Sequence, residues 1–248
     1  MPTVPTSRRE RLRADLTGEI KTIAFRHIAE GGAKSLSLRG IAREMGMSAA
    51  ALYYYFDTRD ALLVSMAADV YTALAERMES ACGACPADDV EGRLLAHGLT
   101  YREWAVTRPH EFRLLYGEAS SADVSATGSA AAAAEHRVCL GLLGLVAAAW
   151  PRIADQHDAR AYAWSDFDPD FVGQARTAHP GLPPAVIALT LRVWGRMHGL
   201  VALEVHGVLG PRARDALHLF RDELRDITRT LGLNHEARAS RTPPRARG

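Results

Sequence analysis

Apolar residues recur every three or four positions along most of the chain, the spacing that places them on one face of an α-helix. No stretch alternates apolar and polar residues with the period of two that marks a half-buried strand. Glycines and prolines interrupt the periodic segments, as they do where helices end and begin. The pattern therefore predicts an all-α fold. Longer helices are expected over residues 15–30, 59–82, 90–107, 109–117, 128–153, 183–208 and 211–231.

Two shorter helices are predicted between residues 35 and 58. The first ends at Gly46, which suits a tight turn, and Ser48 offers a hydroxyl to cap the second. Two short helices joined by a glycine turn are how many proteins place a recognition helix in the DNA major groove. The pair therefore predicts a DNA-binding helix-turn-helix. Its apolar positions are Leu38, Ile41, Ala42, Met45, Leu52 and Phe56.

Charged residues are distributed unevenly along the chain. The chain has 248 residues, of which 48% are apolar and 24% charged, and its net charge of +1 excludes a uniformly basic nucleic-acid coat. Arginines and lysines nevertheless outnumber carboxylates before residue 60. A locally positive surface on a nearly neutral protein indicates a small DNA-reading head attached to a larger body.

The cysteines and the N-terminus bear on compartment and cofactors. Cys82 and Cys85 have metal or redox spacing, but no second pair follows, so a metal site would need Cys139 or a histidine brought close by the fold. No phosphate-binding glycine loop or hydrolase motif is present in the sequence, which argues against an enzyme. The N-terminus lacks the apolar core of a signal peptide, and the apolar run 138–150 is too short to span a bilayer. These features predict a cytoplasmic protein without cofactor or membrane partner.

Three motifs in the first quarter of the chain resemble the TetR family of bacterial transcriptional regulators. They are Leu38-x-x-Ile41-Ala42-x-x-Met45-Gly46-Met47-Ser48, then Leu52-Tyr53-Tyr54-Tyr55-Phe56, then Arg59-x-Ala61-Leu62-Leu63. A later segment, residues 194–204, resembles a Trp-His-Gly motif in the C-terminal domain of one subgroup. The resemblance implies a three-helix DNA-binding head and a helical domain for ligand binding and dimerisation. It also implies a homodimer that binds a palindromic operator in double-stranded DNA and is released by a small molecule, with repression as the family default.

This resemblance, together with the helical pattern, suggests a division of the chain. Residues 1–14 are expected to be a flexible basic arm, and residues 15–62 the DNA-binding head, with a connecting helix to about 82. Residues 83–233 would form the ligand-binding and dimerisation domain, and 234–248 a disordered basic tail. Within the larger domain, the acidic and aromatic segment 154–180 is expected to be irregular, with at most a helical turn or two.

By the same resemblance, nine residues of the head are expected at the DNA. Arg39 is placed to reach a guanine edge or only a phosphate, and Tyr53 and Arg59 to bind phosphates. Tyr54 is the more favoured base or sugar contact, whereas Tyr55 is either a contact or a packing residue. The alanines after Ser48 depart from the family's usual pattern, because they can meet a thymine methyl but donate no hydrogen bond. The full set is Ser37, Arg39, Ser48, Ala49, Ala50, Tyr53, Tyr54, Tyr55 and Arg59.

Large aromatic residues of the body are candidates for lining a pocket for a small, partly apolar effector, although core packing is the alternative for each one. They are Trp104, Phe112, Tyr116, Trp150, Trp194 and His198. The apolar faces of the last two helices exceed what a lone surface helix needs, and a four-helix seam between two subunits would bury them. The apolar residues of these faces are Leu191, Leu203, Leu217, Phe220, Leu224 and Ile227. The alternatives left open are a DNA-binding protein that senses nothing and a metal-binding protein that uses Cys82 and Cys85.

Overall fold

A computed structural model describes residues 7–117, 129–158 and 161–233. Within these ranges all regular structure is helical, which confirms the all-α prediction. Short 3-10 turns lie at residues 33–35, 150–152, 154–156 and 164–166. The α-helices are α1 (Arg8–Gly31), α2 (Leu38–Glu44), α3 (Ala49–Tyr53), α4 (Arg59–Gly83), α5 (Val90–Thr107), α6 (Pro109–Tyr116), α7 (Ala130–Ala149), α8 (Pro169–Ala178), α9 (Pro184–Val205) and α10 (Ala216–Thr230).

The described residues form two compact units. The first unit, called the head, holds residues 7–71, 108–117 and 129–135, and the second, called the body, holds 72–107, 136–158 and 161–233. Helices α4 and α7 each contribute residues to both units. Helix α6 clusters with the head, whereas the division expected from the sequence places it in the larger domain.

The core of the head comes from one face of each of its first helices. Ile20 of α1, Ile41 of α2 and Leu52 of α3 are fully buried, and Leu62 and Met66 of α4 join them. Full burial of a side chain of this size contributes about 1.5–3 kcal/mol relative to an exposed position. The apolar spacing read from the sequence therefore identifies the residues that hold α2 and α3 against α1 and α4.

The first helix begins seven residues earlier than expected. Ser7 caps it, because the Ser7 hydroxyl accepts from the backbone N–H of Glu10 at 3.1 Å and the Glu10 carboxylate accepts from the N–H of Ser7 at 2.9 Å. The reciprocal bonds satisfy two N–H groups that a helix start leaves unpaired. The prediction of a flexible arm is therefore wrong for residues 8–14, which form two helical turns, while residues 1–6 lie outside the described part.

The core of the body is formed by α5, α9 and α10, with buried residues that include Trp104, Met197 and Leu224. Helices α5 and α10 approach closely at Gly98, where a Cβ would lie 2.5 Å from a methyl carbon of Leu224. Phe220, Leu224 and Ile227, which the sequence suggests for a subunit seam, are buried within this core instead.

Two segments of the body differ from the prediction. The segment expected to be irregular contains the ten-residue helix α8, which begins after Asp168, whose carboxylate accepts from the N–H of Phe171 at 2.9 Å. The last helix begins at Ala216 and not at Pro211, because Asp215 caps it through the N–H of His218 at 2.8 Å. Residues 234–248, the predicted tail, and the predicted polar loop at 120–127 lie outside the described residues.

In the described part of the chain, two helices are long and apolar enough to cross a membrane by length and composition alone, Ala130–Arg152 and Pro184–Val205. The sequence-based estimate from residues 138–150 is therefore too short, because the alanine-rich start of α7 extends its apolar stretch. Leu143 and Val146 of α7 and Val193 of α9 are buried in the core, so the packing of the chain accounts for much of this apolarity.

Candidate nucleic-acid interface and effector cavity

The turn between α2 and α3 is fixed by its caps. The Ser37 hydroxyl accepts from the N–H of Gly40 at 3.3 Å, and the Ser48 hydroxyl accepts from the N–H of Ala51 at 3.1 Å. Gly46 between the helices has a φ of 65°, a conformation that a side chain would strain. Glu44 at the end of α2 pairs with Arg26 and, at 2.8 Å, with Nε2 of His27, so α2 is also tied to α1. These contacts hold the α2–α3 pair in a defined orientation within the head.

Polar and aromatic side chains face solvent around this turn. Tyr54 is 60% exposed and Tyr53 is 41% exposed, and Arg39 is also exposed. Tyr55 is half-buried and packs edge-on against Tyr54 with ring centroids 5.6 Å apart. Of the predicted contacts on α3, Ala50 is exposed, whereas Ala49 is half-buried; Ser37 and Ser48 remain accessible while they cap their helices.

Arg13 of α1 is a residue of this surface that the sequence did not reveal. Its guanidinium carbon lies 5.3 Å from the centre of the Tyr54 ring, within the range of a cation–π contact. The first turns of α1 therefore reach the end of α3. Arg13 belongs to the segment expected to be a flexible arm, and its position in α1 places it beside Tyr54.

Arg59 does not present a free guanidinium at this surface. Nη2 donates to the carbonyl of Ala33 at 2.7 Å, and Nη1 donates to the Asp60 carboxylate at 2.9 Å. Both terminal nitrogens are thus engaged within the head, and they tie the 3-10 turn at 33–35 to the start of α4. This geometry weighs against the predicted phosphate contact of Arg59.

Three of the six residues predicted to line a pocket lie together in the body. Trp104, Trp194 and His198 converge on Tyr101, a residue that the sequence did not single out. The Tyr101 ring centroid lies 5.9 Å from that of Trp104 and 4.9 Å from that of Trp194, and its hydroxyl is 2.8 Å from Nδ1 of His198. Burial, with a smaller effect of His206, lowers the pKa of His198. Their close packing in the body favours the core alternative for these residues.

The other three predicted pocket residues lie elsewhere. Phe112 and Tyr116 of α6 belong to the head, where the Tyr116 ring centroid lies 6.3 Å from that of Tyr71. Trp150 lies in a 3-10 turn of the body, with its ring centroid 5.7 Å from that of His157. The predicted pocket residues are thus divided between the head and the body, and their role at a ligand stays a prediction.

A cavity of about 210 Å³ lies in the body between α4, α5 and α7. None of the six predicted residues contributes to its wall. His97, which the sequence did not single out, is 2% exposed, and its Nε2 has no hydrogen-bond partner among the described residues. Burial lowers the pKa of His97 to about 4. The lining consists of Ala75, Met78, Glu79, Cys82, Gly83, Arg93, His97, Arg137, Val138, Gly141 and Leu145.

Charged and thiol groups of the wall are engaged with one another or with the backbone. Nε of Arg137 donates to Glu79 at 2.7 Å, and both side chains are about half exposed, which places this ion pair at the opening. The Cys82 thiol donates to the carbonyl of Arg93 at 3.3 Å, and burial raises its pKa. Cys85, which follows α4 and is not part of the wall, has its thiol 3.8 Å from the carbonyl of Ala81 in that helix. Within the described residues, no group of three or more His, Cys, Asp or Glu is arranged to hold a metal.

A capped helix-turn-helix followed by a larger helical body defines the class of helix-turn-helix transcriptional regulators. A comparison with protein families supports the same class. The model described as "Bacterial regulatory proteins, tetR family" matches residues 22–66, and that described as "Tetracyclin repressor-like, C-terminal domain" matches residues 94–227. The chain belongs to the TetR family of DNA-binding transcriptional regulators, which is a family of regulators and not of enzymes. The Trp-His-Gly subgroup stays a prediction.

Individual relatives support the same assignment. HTH-type transcriptional regulators of Mycobacterium bovis and Mycobacterium tuberculosis are each 36% identical over 115 residues, which cover 46% of this chain and 49% of theirs. The chain thus matches about half the length of these curated relatives. The crystal structure of the regulatory protein SCO4313 has 28% identity and a TM-score of 0.65, and the match covers 89% of this chain and 98% of that one.

A more distant structure shares the fold alone. FadR from Bacillus subtilis, solved in complex with stearoyl-CoA, is 14% identical to this chain with a TM-score of 0.53. The match covers 86% of this chain and 98% of that one.

Proposed function

We propose that this protein is a homodimeric repressor that binds a palindromic operator through α2 and α3 and releases it when a small, partly apolar molecule enters the α4–α5–α7 cavity. The observation that carries the proposal is the solvent-facing group of Arg39, Tyr53 and Tyr54 beside a turn whose two helices are both capped. Solvent-exposed tyrosines and arginine on a rigid turn suit contacts to phosphates and base edges.

Within this interface the residues take different roles. Tyr53, with Ser37 and Ser48 at the helix starts, contacts the phosphate backbone and sets the register without reading sequence. Arg39 and Tyr54 reach base edges or sugars, and Ala49 and Ala50 meet thymine methyl groups. Tyr55, half-buried, supports Tyr54. Arg59 holds the 3-10 turn in place instead of binding phosphate.

The effector acts through α4 in this proposal. Leu62 and Met66 of this helix are in the core of the head, and Met78 and Cys82 of the same helix line the cavity in the body. A molecule that displaces the cavity wall therefore acts on a helix that is continuous with the DNA-binding unit. Such a displacement changes the spacing of two heads on a palindrome and weakens the complex.

The dimer forms through α9 and α10. Leu191 and Leu203 of α9 and Leu219 of α10 are 40% exposed or more in the single chain. A Cβ at Gly195 or Gly199 would have no neighbour within 4 Å, so α9 presents a surface onto which another helix can pack closely. Two copies that pair these faces would bury the apolar residues left exposed here.

The test begins with a footprint on DNA that flanks the protein's own gene. We expect protection of a palindrome by a dimer, and Tyr54→Ala and Arg39→Ala should reduce affinity for that palindrome more than for random duplex. Metabolite pools are then screened for loss of the footprint. A protein that protects no palindrome would refute the repressor proposal, and one whose footprint no small molecule removes would refute its effector step.

A further inference from the structure

The cavity contains one polar atom whose hydrogen-bonding capacity is unused. Nε2 of His97 is buried and has no partner among the described residues, although buried polar atoms are nearly always paired. A Cβ at Gly141 would lie 3.7 Å from Cε1 of the His97 ring. The His97 ring thus packs close to the backbone of α7 at Gly141, while the same side chain forms part of the cavity wall.

The size of the cavity limits what can occupy that space. A cavity of roughly 150 Å³ holds benzene. At about 210 Å³, this cavity has room for one six-membered ring and a few further heavy atoms. Met78, Val138 and Leu145 supply apolar surface around it. A long acyl chain or a multi-ring molecule would have to extend out of this volume through the opening.

A water molecule at Nε2 would have to find its other hydrogen-bond partners in a mostly apolar wall or at the opening. A buried water needs two to four polar partners. The Cys82 thiol already donates to a carbonyl, and Arg137 and Glu79 pair with each other at the opening. A polar group attached to an apolar body, in contrast, needs only the one partner that His97 offers.

The protonation state of His97 selects among polar groups. Because burial lowers its pKa to about 4, the imidazole is neutral at physiological pH, and Nε2 is a donor in one tautomer and an acceptor in the other. A hydroxyl can donate or accept and so fits either tautomer. A carboxylate would be desolvated beside an uncharged ring, because the nearby Arg137 is already paired with Glu79.

We propose that the cavity binds a single-ring or similarly small apolar molecule with one hydroxyl group, which hydrogen-bonds to Nε2 of His97. The inference rests on the proposed function, since it describes the effector of that same site. It assigns His97 as the specificity-determining residue of the cavity.

The test compares two probes of equal shape, 4-methylphenol and 1,4-dimethylbenzene, which differ only by a hydroxyl in place of a methyl group. Both are titrated into the full chain without DNA, with binding followed by calorimetry and NMR. We expect the phenol to bind wild type about tenfold more tightly, as one added hydrogen bond to a buried unpaired group predicts. In His97→Leu that preference should disappear, whereas His218→Leu, at an exposed position of α10, should keep it.

A second measurement avoids any dependence on the folding of the variant. In wild-type protein with 15N-labelled histidine, the phenol should shift the Nε2 resonance of His97, and the dimethylbenzene should not. Equal affinity for the two probes, a preference that survives in His97→Leu, or no binding of either probe would overturn the inference.

Operator binding is measured separately on the same samples by fluorescence anisotropy. If the operator is bound but the probes are not distinguished, the ligand class is wrong and the regulator proposal stands. If the probes are distinguished but no operator is bound, the ligand class is right and the regulator proposal is wrong.

Discussion

The buried, neutral state of His97 makes a prediction about stability as a function of pH. Its pKa is about 4 in the folded protein and about 6.5 in an unfolded chain, so the unfolded state binds one more proton between these values. The contribution of His97 to the free energy of unfolding is therefore fully present above pH 6.5, and it is lost as the pH falls toward 4. Integration of the linkage relation gives a loss of about 2 kcal/mol between pH 7 and pH 5.

The assay is urea unfolding of wild type and His97→Leu at several pH values. The other charged groups of the cavity wall, Glu79, Arg93 and Arg137, are present in both proteins, as is His198, whose lowered pKa acts in the same direction. Their contributions cancel in the difference. We expect wild type to lose about 2 kcal/mol more than the variant by pH 5.

A matched control removes an exposed histidine. His218 lies on α10 with a side chain that is 67% exposed and 3.4 Å from the Asp222 carboxylate, so His218→Leu measures what the loss of a surface histidine alone does to the pH profile. If His97→Leu instead loses as much stability on acidification as wild type does, then His97 is not buried in its neutral form. The argument for a hydroxyl partner would lose its basis at the same time.

Three further substitutions test the packing of the head and the body. Arg13→Ala should weaken operator binding about threefold, because the cation–π contact with Tyr54 is lost. Arg9→Ala is the control, since it removes an equal charge and leaves that contact in place. Anisotropy titrations measure the operator affinity of both variants. Arg59→Ala should lower the free energy of unfolding by about 1 kcal/mol and leave the salt dependence of DNA binding unchanged; a shallower salt slope would show a phosphate contact. Gly98→Ala should destabilise the protein by about 1–3 kcal/mol in urea because its Cβ meets a buried leucine, whereas Gly18→Ala on open α1 surface should not destabilise it.

Sequence reasoning succeeded where local rules decide the structure. The prediction of α5 over residues 90–107 agrees with the observed bounds, and the start of α6 follows from Pro109, whose fixed φ suits the first helical turn. Ser48 was identified as a cap from its position after Gly46, and its hydroxyl does accept the expected backbone bond. In each case the signal lies within a few residues of the feature that it predicts.

Local signals also existed where the prediction failed. Ser7 and Glu10 form a capping box that can be read from the sequence, but the high charge density of the following residues favoured a flexible arm. Asp168-Pro169 is a similar start signal for α8, and the acidic surroundings obscured it. Charge composition and capping chemistry thus point to different structures in these two segments. The capping residues decide where α1 and α8 begin.

The cavity between α4, α5 and α7 could not be derived in this way, because a cavity is defined by what is missing between helices distant in sequence. Large aromatic residues such as Trp104 are conspicuous in a sequence, yet they fill space and thereby remove cavities. His97 sits three residues after Leu94 and four before Tyr101, so its place on the buried face could have been recognised. The cavity wall also includes Gly141 of α7, more than forty residues away, and only the packing of α5 against α7 brings Gly141 next to the His97 ring. The polar His97 on an otherwise apolar helix face was thus the informative signal in the sequence. Only the folded structure shows that this residue lines a cavity.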